Sequence, residues 1–245
     1  ITINIGGTSS VTFCPPWPTP GDAESEAHVP GGMDPGLGVF FMDLCTKEID
    51  PSLEYDADGA MARSGAVNGE LLAHMLTNKY YAAERQLPIG VGPDDFPETL
   101  FKEYHEHAQS LGVSNVDFLT TLTELTAVQI ARACAKFGGP HIANGATDDV
   151  LLRGGVCANS FFVERLRENM TVELGTEIQR ITTLDDVGID EESWENAMYA
   201  MFGYLCFNNL YNFVPSCTGA SRAVVGGRIA PGENFHSVRL TDVEQ

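Results

Sequence analysis

The sequence predicts an α/β fold built on a mixed sheet, and three observations carry that prediction. The first thirteen residues alternate apolar and polar like a hairpin. Helical and strand-like segments then alternate along the rest of the chain. Twice, a strand runs straight into a glycine pair: residues 4–7 read NIGG and residues 152–155 read LRGG.

Ile1, Ile3 and Ile5 alternate, Gly6-Gly7-Thr8-Ser9 turns, and the chain returns through Val11 and Phe13. Residues 14–32 are rich in Pro and Gly and carry Asp22, Glu24 and Glu26, which reads as a surface insertion loop. Residues 31–38 follow as a dense Gly/Pro turn around one acid, Asp34, before an apolar run over 39–44. Val67, Leu71, Leu72, Met75 and Leu76 form one stripe of a helix over 67–81. Residues 88–97 read as loop. Pro97 suits the first position of a helix reaching about Leu111, with Asp94 and Asp95 ahead of it. The strongest helical period spans 118–137, through Leu119, Leu122, Leu125, Ile130, Ala133 and Phe137, and Gly138-Gly139 ends it. A short strand at 149–152 opens into Arg153-Gly154-Gly155, and a helix runs from about 160 to 170. A strand near 178–181, a long helix over 193–211, a last strand over 222–229 and a polar tail complete the chain.

The 245 residues suit one large domain or two small ones. Acidic residues number 34 against 14 Lys and Arg, a net charge of -20, so the surface repels nucleic-acid backbones and anionic membranes. No segment approaches the ~20 apolar residues of a membrane span. The six cysteines fall in no C-x-x-C spacing and read as reduced thiols of a cytoplasmic protein. The chain opens on Ile1 within a strand of mid-domain character, so further sequence is expected upstream.

Glycine turns let a backbone approach a ligand, and successive free N–H groups in such a turn bind anions. Either pair alone reads as a tight turn. Two strand-to-diglycine units in one α/β chain point to a nucleotide, although neither is a P-loop or a complete dinucleotide fingerprint. Asp34, among Gly31, Gly32, Pro35, Gly36 and Gly38, reads as a general base with room to face a ligand, or as an Asp closing its own turn. Tyr55-Asp56-Ala57-Asp58-Gly59 looks like a calcium loop, but Val67 stands where the twelfth-position Glu is needed; it reads as a capping turn. His105 and His107, two apart on a helix, make a poor metal pair and read as solvated. Glu195 suits the dipole at the start of its helix, or a sugar.

Taken in order, NIGGTSSV, MDPGLGVFFMD, YDADGAMARSGAVN, DDVLLRGGVCANSFFVERL, LDDVGIDEESWENAMYAMFGYL and PSCTGASRAVVGGRIAPGENF resemble the anhydro-N-acetylmuramic acid kinase family, and within it the eukaryotic branch that includes levoglucosan kinase. The resemblance implies an actin-like ATPase, ribonuclease H-like fold of the sugar kinase, Hsp70 and actin superfamily. It implies that residues 1–245 are the C-terminal lobe of a two-lobe enzyme. The implied reaction joins hydrolysis of a 1,6-anhydro bond to phosphorylation at O6, with ATP and Mg²⁺ as cofactors. Asp34 falls on the base; Gly6, Gly7, Thr8, Gly154, Gly155 and Asn159 fall on the nucleotide; Gly36 and Glu195 fall on the sugar. A homodimer is also implied. No metal ligand of the protein itself is read from the sequence.

The chain departs from the family at four places. Val39 replaces an Asn, Ser10 replaces another, Val156 replaces a third glycine, and residues 88–94 lack the Lys and Arg of a Lys-Ser/Thr-Thr-Gly-Arg-Glu loop. These departures leave a second reading open: a degenerate pseudokinase that binds nucleotide or scaffolds without catalysis. A chaperone-type ATPase shares only the fold.

Overall fold

A computed structural model describes residues 1–15, 29–82, 84–92, 94–138, 149–178, 180–230 and 232–233. Most of the expected insertion loop, at 16–28, and the polar tail from 234 lie outside the described residues, as does Gly139.

The sheet has five strands: β1 (Thr2–Ile5), β2 (Thr8–Phe13), β3 (Gly31–Leu37), β4 (Asp149–Arg153) and β5 (Arg180–Thr183), in the order β3-β2-β1-β4-β5. β2 is antiparallel to both β1 and β3, whereas β4 is parallel to β1 and β5. This is the mixed sheet the sequence predicts, flanked by helices as an actin-like ATPase fold requires.

The Gly/Pro run at 31–38 is not a turn. It is the strand β3, paired with β2 through Phe13 opposite Gly31 and Val11 opposite Met33. Between that pair and Ser9 opposite Gly36, the single residue Ser10 faces two, Asp34 and Pro35. That is a β-bulge, and it places Pro35, which has no N–H, where the ladder is already broken.

Two other boundaries differ from expectation. The helix expected over 67–81 is two helices, α3 (Gly69–Met75) and α4 (Lys79–Ala82), after α1 (Phe40–Ile49) and α2 (Ala60–Ser64). Polar side chains end one and start the next: Thr77 Oγ1 donates to His74 O at 2.7 Å, and Asn78 Oδ1 accepts the Tyr80 N–H at 2.8 Å. In α5 (Glu98–Ser110), Pro97 is the N-cap rather than the first helical residue. His105 is not solvated; its ring stacks on Phe118 at 5.3 Å and bonds Asn115 Oδ1 at 2.9 Å.

α6 (Asn115–Gly138) is the central helix, with Leu119, Leu122, Leu125 and Ile130 fully buried. Its buried threonines spend their hydroxyls on backbone carbonyls, as Thr120 does on Ala62 O at 2.6 Å. α7 (Ser160–Leu174) lies against α6, joined by Glu124, whose carboxylate accepts from Arg165 at 2.6 and 2.9 Å and from Asn169 at 3.0 Å. No helix among the described residues is long and apolar enough to cross a membrane.

Contacts divide the chain into two units, Ile1–Glu191 with Ser216–Gly219, and Glu192–Pro215 with Ala220–Gln245. The second unit holds most of α8 (Glu191–Phe207). The strand expected over 222–229 is absent. Along that segment, the Asn212 side chain donates to Gly226 O at 2.9 Å and accepts the Gly226 N–H at 2.6 Å, and the Asn212 backbone N–H donates to Val224 O at 3.3 Å.

Candidate active site

β1 and β4 are parallel neighbours, with Asn4 beside Arg153, so both diglycine turns emerge at the same end of the sheet. That carboxyl-terminal edge is where α/β sheets hold ligands. A cavity of about 420 Å³ opens there, lined by Gly6, Gly7, Gly155 and Asn159, with Asp43 and Tyr55 among its other walls. Thr8 is exposed one residue further along.

The start of α1 fixes the first turn. Gly7 O accepts the N–H groups of Gly38 at 2.9 Å and Phe40 at 3.3 Å, and Gly6 O accepts that of Val39 at 2.8 Å. These bonds require Gly38, whose Cβ, if present, would lie 2.0 Å from Gly6 O.

The two glycines of the second turn do different things. Gly154 has φ +93, and a Cβ there would lie 2.2 Å from Ile5 O. Its N–H donates to Glu191 Oε1 at 3.1 Å, with Arg153 Nε 3.8 Å from the same oxygen. Gly154 therefore lets β4 close against β1, and it is not among the cavity's walls, contrary to its expected place on the nucleotide. Gly155 lines the cavity, and nothing lies within 4 Å of where its Cβ would be. Asn159 caps α7, accepting the Phe162 N–H at 2.8 Å.

The YDADG segment builds the facing wall. Asp56 caps α2, accepting from Met61 and Ala62 at 2.9 Å each. Asp58, at φ 57, reaches across the fold to accept the Ser160 N–H at 2.9 Å. Gly59 must be glycine because a Cβ would lie 2.2 Å from Asn159 Oδ1. The segment is thus a double cap, serving α2 and α7 rather than the helix over 67–81.

Asp34 does not line the diglycine cavity. From Gly38 it lies four residues back along β3, about 13 Å at the rise of an extended strand. It lines a cavity of about 300 Å³ with Ser10, Thr12, Gly90 and Thr218, a wall rich in hydroxyls. It also borders a smaller one, about 140 Å³, with Tyr80, Arg85, Gln129 and Lys136. Asp34 Oδ2 accepts the Val91 N–H at 3.0 Å, its own N–H donates to Ile89 O at 2.8 Å, and Tyr80 Oη donates to its carbonyl at 2.6 Å. Burial raises the carboxyl above its ordinary pKa, with the Val91 N–H partly opposing. A half-buried carboxylate with added proton affinity, set among hydroxyls, is equipped to take a proton from water or a sugar. Gly36 faces inward instead: at φ +141 its Cβ would lie 2.9 Å from Gln129 Oε1 and 3.0 Å from Tyr81.

Sequence reasoning missed the contribution of residues 88–92. Their backbone holds Asp34, which needs no particular side chain and so leaves no motif. It also missed Asp43, whose signal was an acid in the first turn after Gly38-Val39. Glu195 lies on α8 in the second unit, exposed to solvent. Among the described residues no three His, Cys, Asp or Glu side chains are grouped to hold a metal.

The pattern of the anhydro-N-acetylmuramic acid kinase family matches residues 1–232. Curated relatives bearing that name include one from Microcystis aeruginosa, 30% identical over 227 residues, covering 92% of this chain and 56% of the relative. One from Acaryochloris marina is 31% identical over 227 residues, covering 92% and 56%. One from Caldanaerobacter subterraneus subsp. tengcongensis is 27% identical over 228 residues, covering 93% and 53%. The chain spans about half the length of the curated relatives it matches. With the family's pattern running through both diglycine turns and the Asp34 strand, the chain belongs to the anhydro-N-acetylmuramic acid kinase family.

Proposed function

We propose that this chain is the C-terminal lobe of a two-lobe, ATP-dependent anhydrosugar kinase. One observation supports the reading above others. β2 leads from Gly7, at the tip of the diglycine cavity, to Ser10 and Thr12, in the hydroxyl-lined cavity of Asp34. Ser10 lies three strand steps beyond Gly7, about 10 Å, a span on the scale of a polyphosphate. Nucleotide at one end and sugar at the other are thus joined by a single strand.

In this reading Asp34 takes a proton from water as the water oxygen attacks the anomeric carbon. The bond from that carbon to the bridging oxygen breaks. The freed oxygen, O6, attacks the γ-phosphoryl group of ATP, and ADP leaves. Gly6, Gly7, Thr8, Gly155 and Asn159 serve the nucleotide, and Gly154 serves it indirectly by setting the second turn. Glu195 is assigned to sugar hydroxyls on the resemblance alone. Gly36 acts through the backbone path of β3. Mg²⁺ would arrive on the nucleotide's phosphates. Anhydro-N-acetylmuramic acid and levoglucosan are the two sugars to consider; a cytoplasmic homodimer is part of the same reading. The lost Lys and Arg of residues 88–94 do not favour the pseudokinase, because that loop supports Asp34 through backbone atoms.

ATP turnover by the full-length protein with each sugar tests this. Product is expected with at least one, falling about 10²–10⁴-fold in Asp34→Asn. Turnover unaffected by that substitution would remove Asp34 from the chemistry, and no product with either sugar would remove the kinase reading. The isolated 245-residue chain is expected to be inactive.

A further inference from the structure

We propose that Asp43 holds the ribose hydroxyls of the bound nucleotide and makes the site prefer ribonucleotides to 2′-deoxyribonucleotides. The proposal rests on the nucleotide reading of the diglycine cavity. Val39, Met42, Leu119 and Val156 give that cavity an apolar floor, suited to a base and the face of a sugar. Three acids border it: Asp43, Asp56 and Asp58. Two of them are committed, Asp56 to the N–H groups of Met61 and Ala62, and Asp58 to that of Ser160. Asp43 is different. It is half-buried in the first turn of α1, and among the described residues its carboxylate accepts no hydrogen bond. The nearest cation along the helix, Lys47, pairs with Glu54 at 2.5 Å and reaches Asp43 only through its field, giving the carboxylate no hydrogen-bond donor.

A carboxylate partly removed from water with no donor is costly unless a ligand supplies one. Phosphate cannot, being acceptor-only and of like charge. Adenine offers only an amino group at its edge. A ribose offers two adjacent hydroxyls, and an ionised carboxylate has two oxygens to accept them. The same pairing of an acid with a ribose diol recurs in dinucleotide sites. A metal ion is the rival ligand, but the neighbouring acids are already spent on backbone N–H groups.

Calorimetric titration of the chain with ADP and with 2′-deoxy-ADP, each with Mg²⁺ and again with EDTA, tests the proposal. A hydrogen bond to a charged group predicts about 10- to 100-fold tighter binding of ADP than of 2′-deoxy-ADP by the unmodified protein. Asp43→Asn should bring the two within about twofold, mainly by weakening ADP. Equal binding of both nucleotides by the unmodified protein overturns the proposal and leaves the nucleotide reading standing. An Asp43→Asn defect present with Mg²⁺ and absent in EDTA also overturns it, assigning the carboxylate to a metal. No ADP binding at all removes both. The comparison in unmodified protein needs no variant, so a folding defect in Asp43→Asn does not blunt it.

Discussion

Replacing Gly38 by alanine sets a Cβ 2.0 Å from Gly6 O, 2.7 Å from Thr8 O and 2.8 Å from Thr8 C. All three are backbone atoms of the first diglycine turn, so no side chain can swing aside. Reaching an ordinary contact near 3.2 Å requires the turn to retreat by about 1.2 Å, scaled to the packing tolerance of protein interiors. The bonds that hold it, Gly38 N–H to Gly7 O at 2.9 Å and Val39 N–H to Gly6 O at 2.8 Å, then stretch beyond hydrogen-bonding range. Two such losses cost about 1–3 kcal/mol. For a chain of this size each kcal/mol lowers Tm by about 2–4 °C, so a fall of about 2–12 °C is expected. ADP affinity should fall about tenfold or more, because the Gly7 N–H moves with the turn, the Gly6 N–H being spent on Thr8 O at 3.0 Å. Thermal unfolding and ADP titration of Gly38→Ala measure both. A Tm within about 2 °C of the unmodified chain, with ADP binding intact, would refute the claim that this glycine sets the turn.

The second turn offers a paired comparison. Gly154→Ala forces a side chain into φ +93 and a 2.2 Å contact with Ile5 O, which should destabilise the fold by about 3 kcal/mol or more. Gly155→Ala, with open space around it, should cost under about 1 kcal/mol and act on ADP affinity instead. Urea unfolding separates the two, and equal effects would undo the division of labour. For Asp43, burial pushes the carboxyl pKa up to about 6, above the unfolded value of about 3.9. The folded chain holds that proton more tightly, so the contribution is favourable below about pH 4 and is lost as pH rises through 6. Asp43→Asn should therefore stabilise the chain at pH 7, by about 1 kcal/mol or less after solvent screening, and hardly at pH 4. A destabilised variant at pH 7 would contradict this.

What the sequence revealed and what it hid follow a physical division. Periodicity exposed α6, because a central helix repeats its buried leucines, and it exposed β1 and β2, because alternation marks a sheet with one covered face. The strand-to-diglycine units were visible because the device occurs twice, where a single pair reads only as a tight turn. β3 was hidden by its composition: three glycines, a proline and a bulge read as a turn, and only pairing with β2 makes them a strand. The strand expected over 222–229 failed for the opposite reason. Its apolar residues suit a sheet, but at Gly226 and Val224 its backbone bonds Asn212 instead of a neighbouring strand. At the candidate site, Gly6, Gly7, Gly155 and Asn159, singled out from the sequence, line one cavity, while Gly154 packs against Ile5. The neighbours of Asp34 were not legible at all, since Val91 and Ile89 act through N–H and C=O groups that every residue possesses.

The double cap made by Asp58 has a consequence for the order of events at the ribosome. Its carboxylate meets the Ser160 N–H across 102 positions of chain, and Gly59 meets Asn159 in the same place. Until residue 160 has emerged and α7 has docked, that wall of the pocket has nothing to close against. Such distant pairings form late and slowly. A nascent chain stalled before that point would therefore display its first glycine bend with no pocket behind it, and the closing of that wall would mark the moment at which α7 has docked.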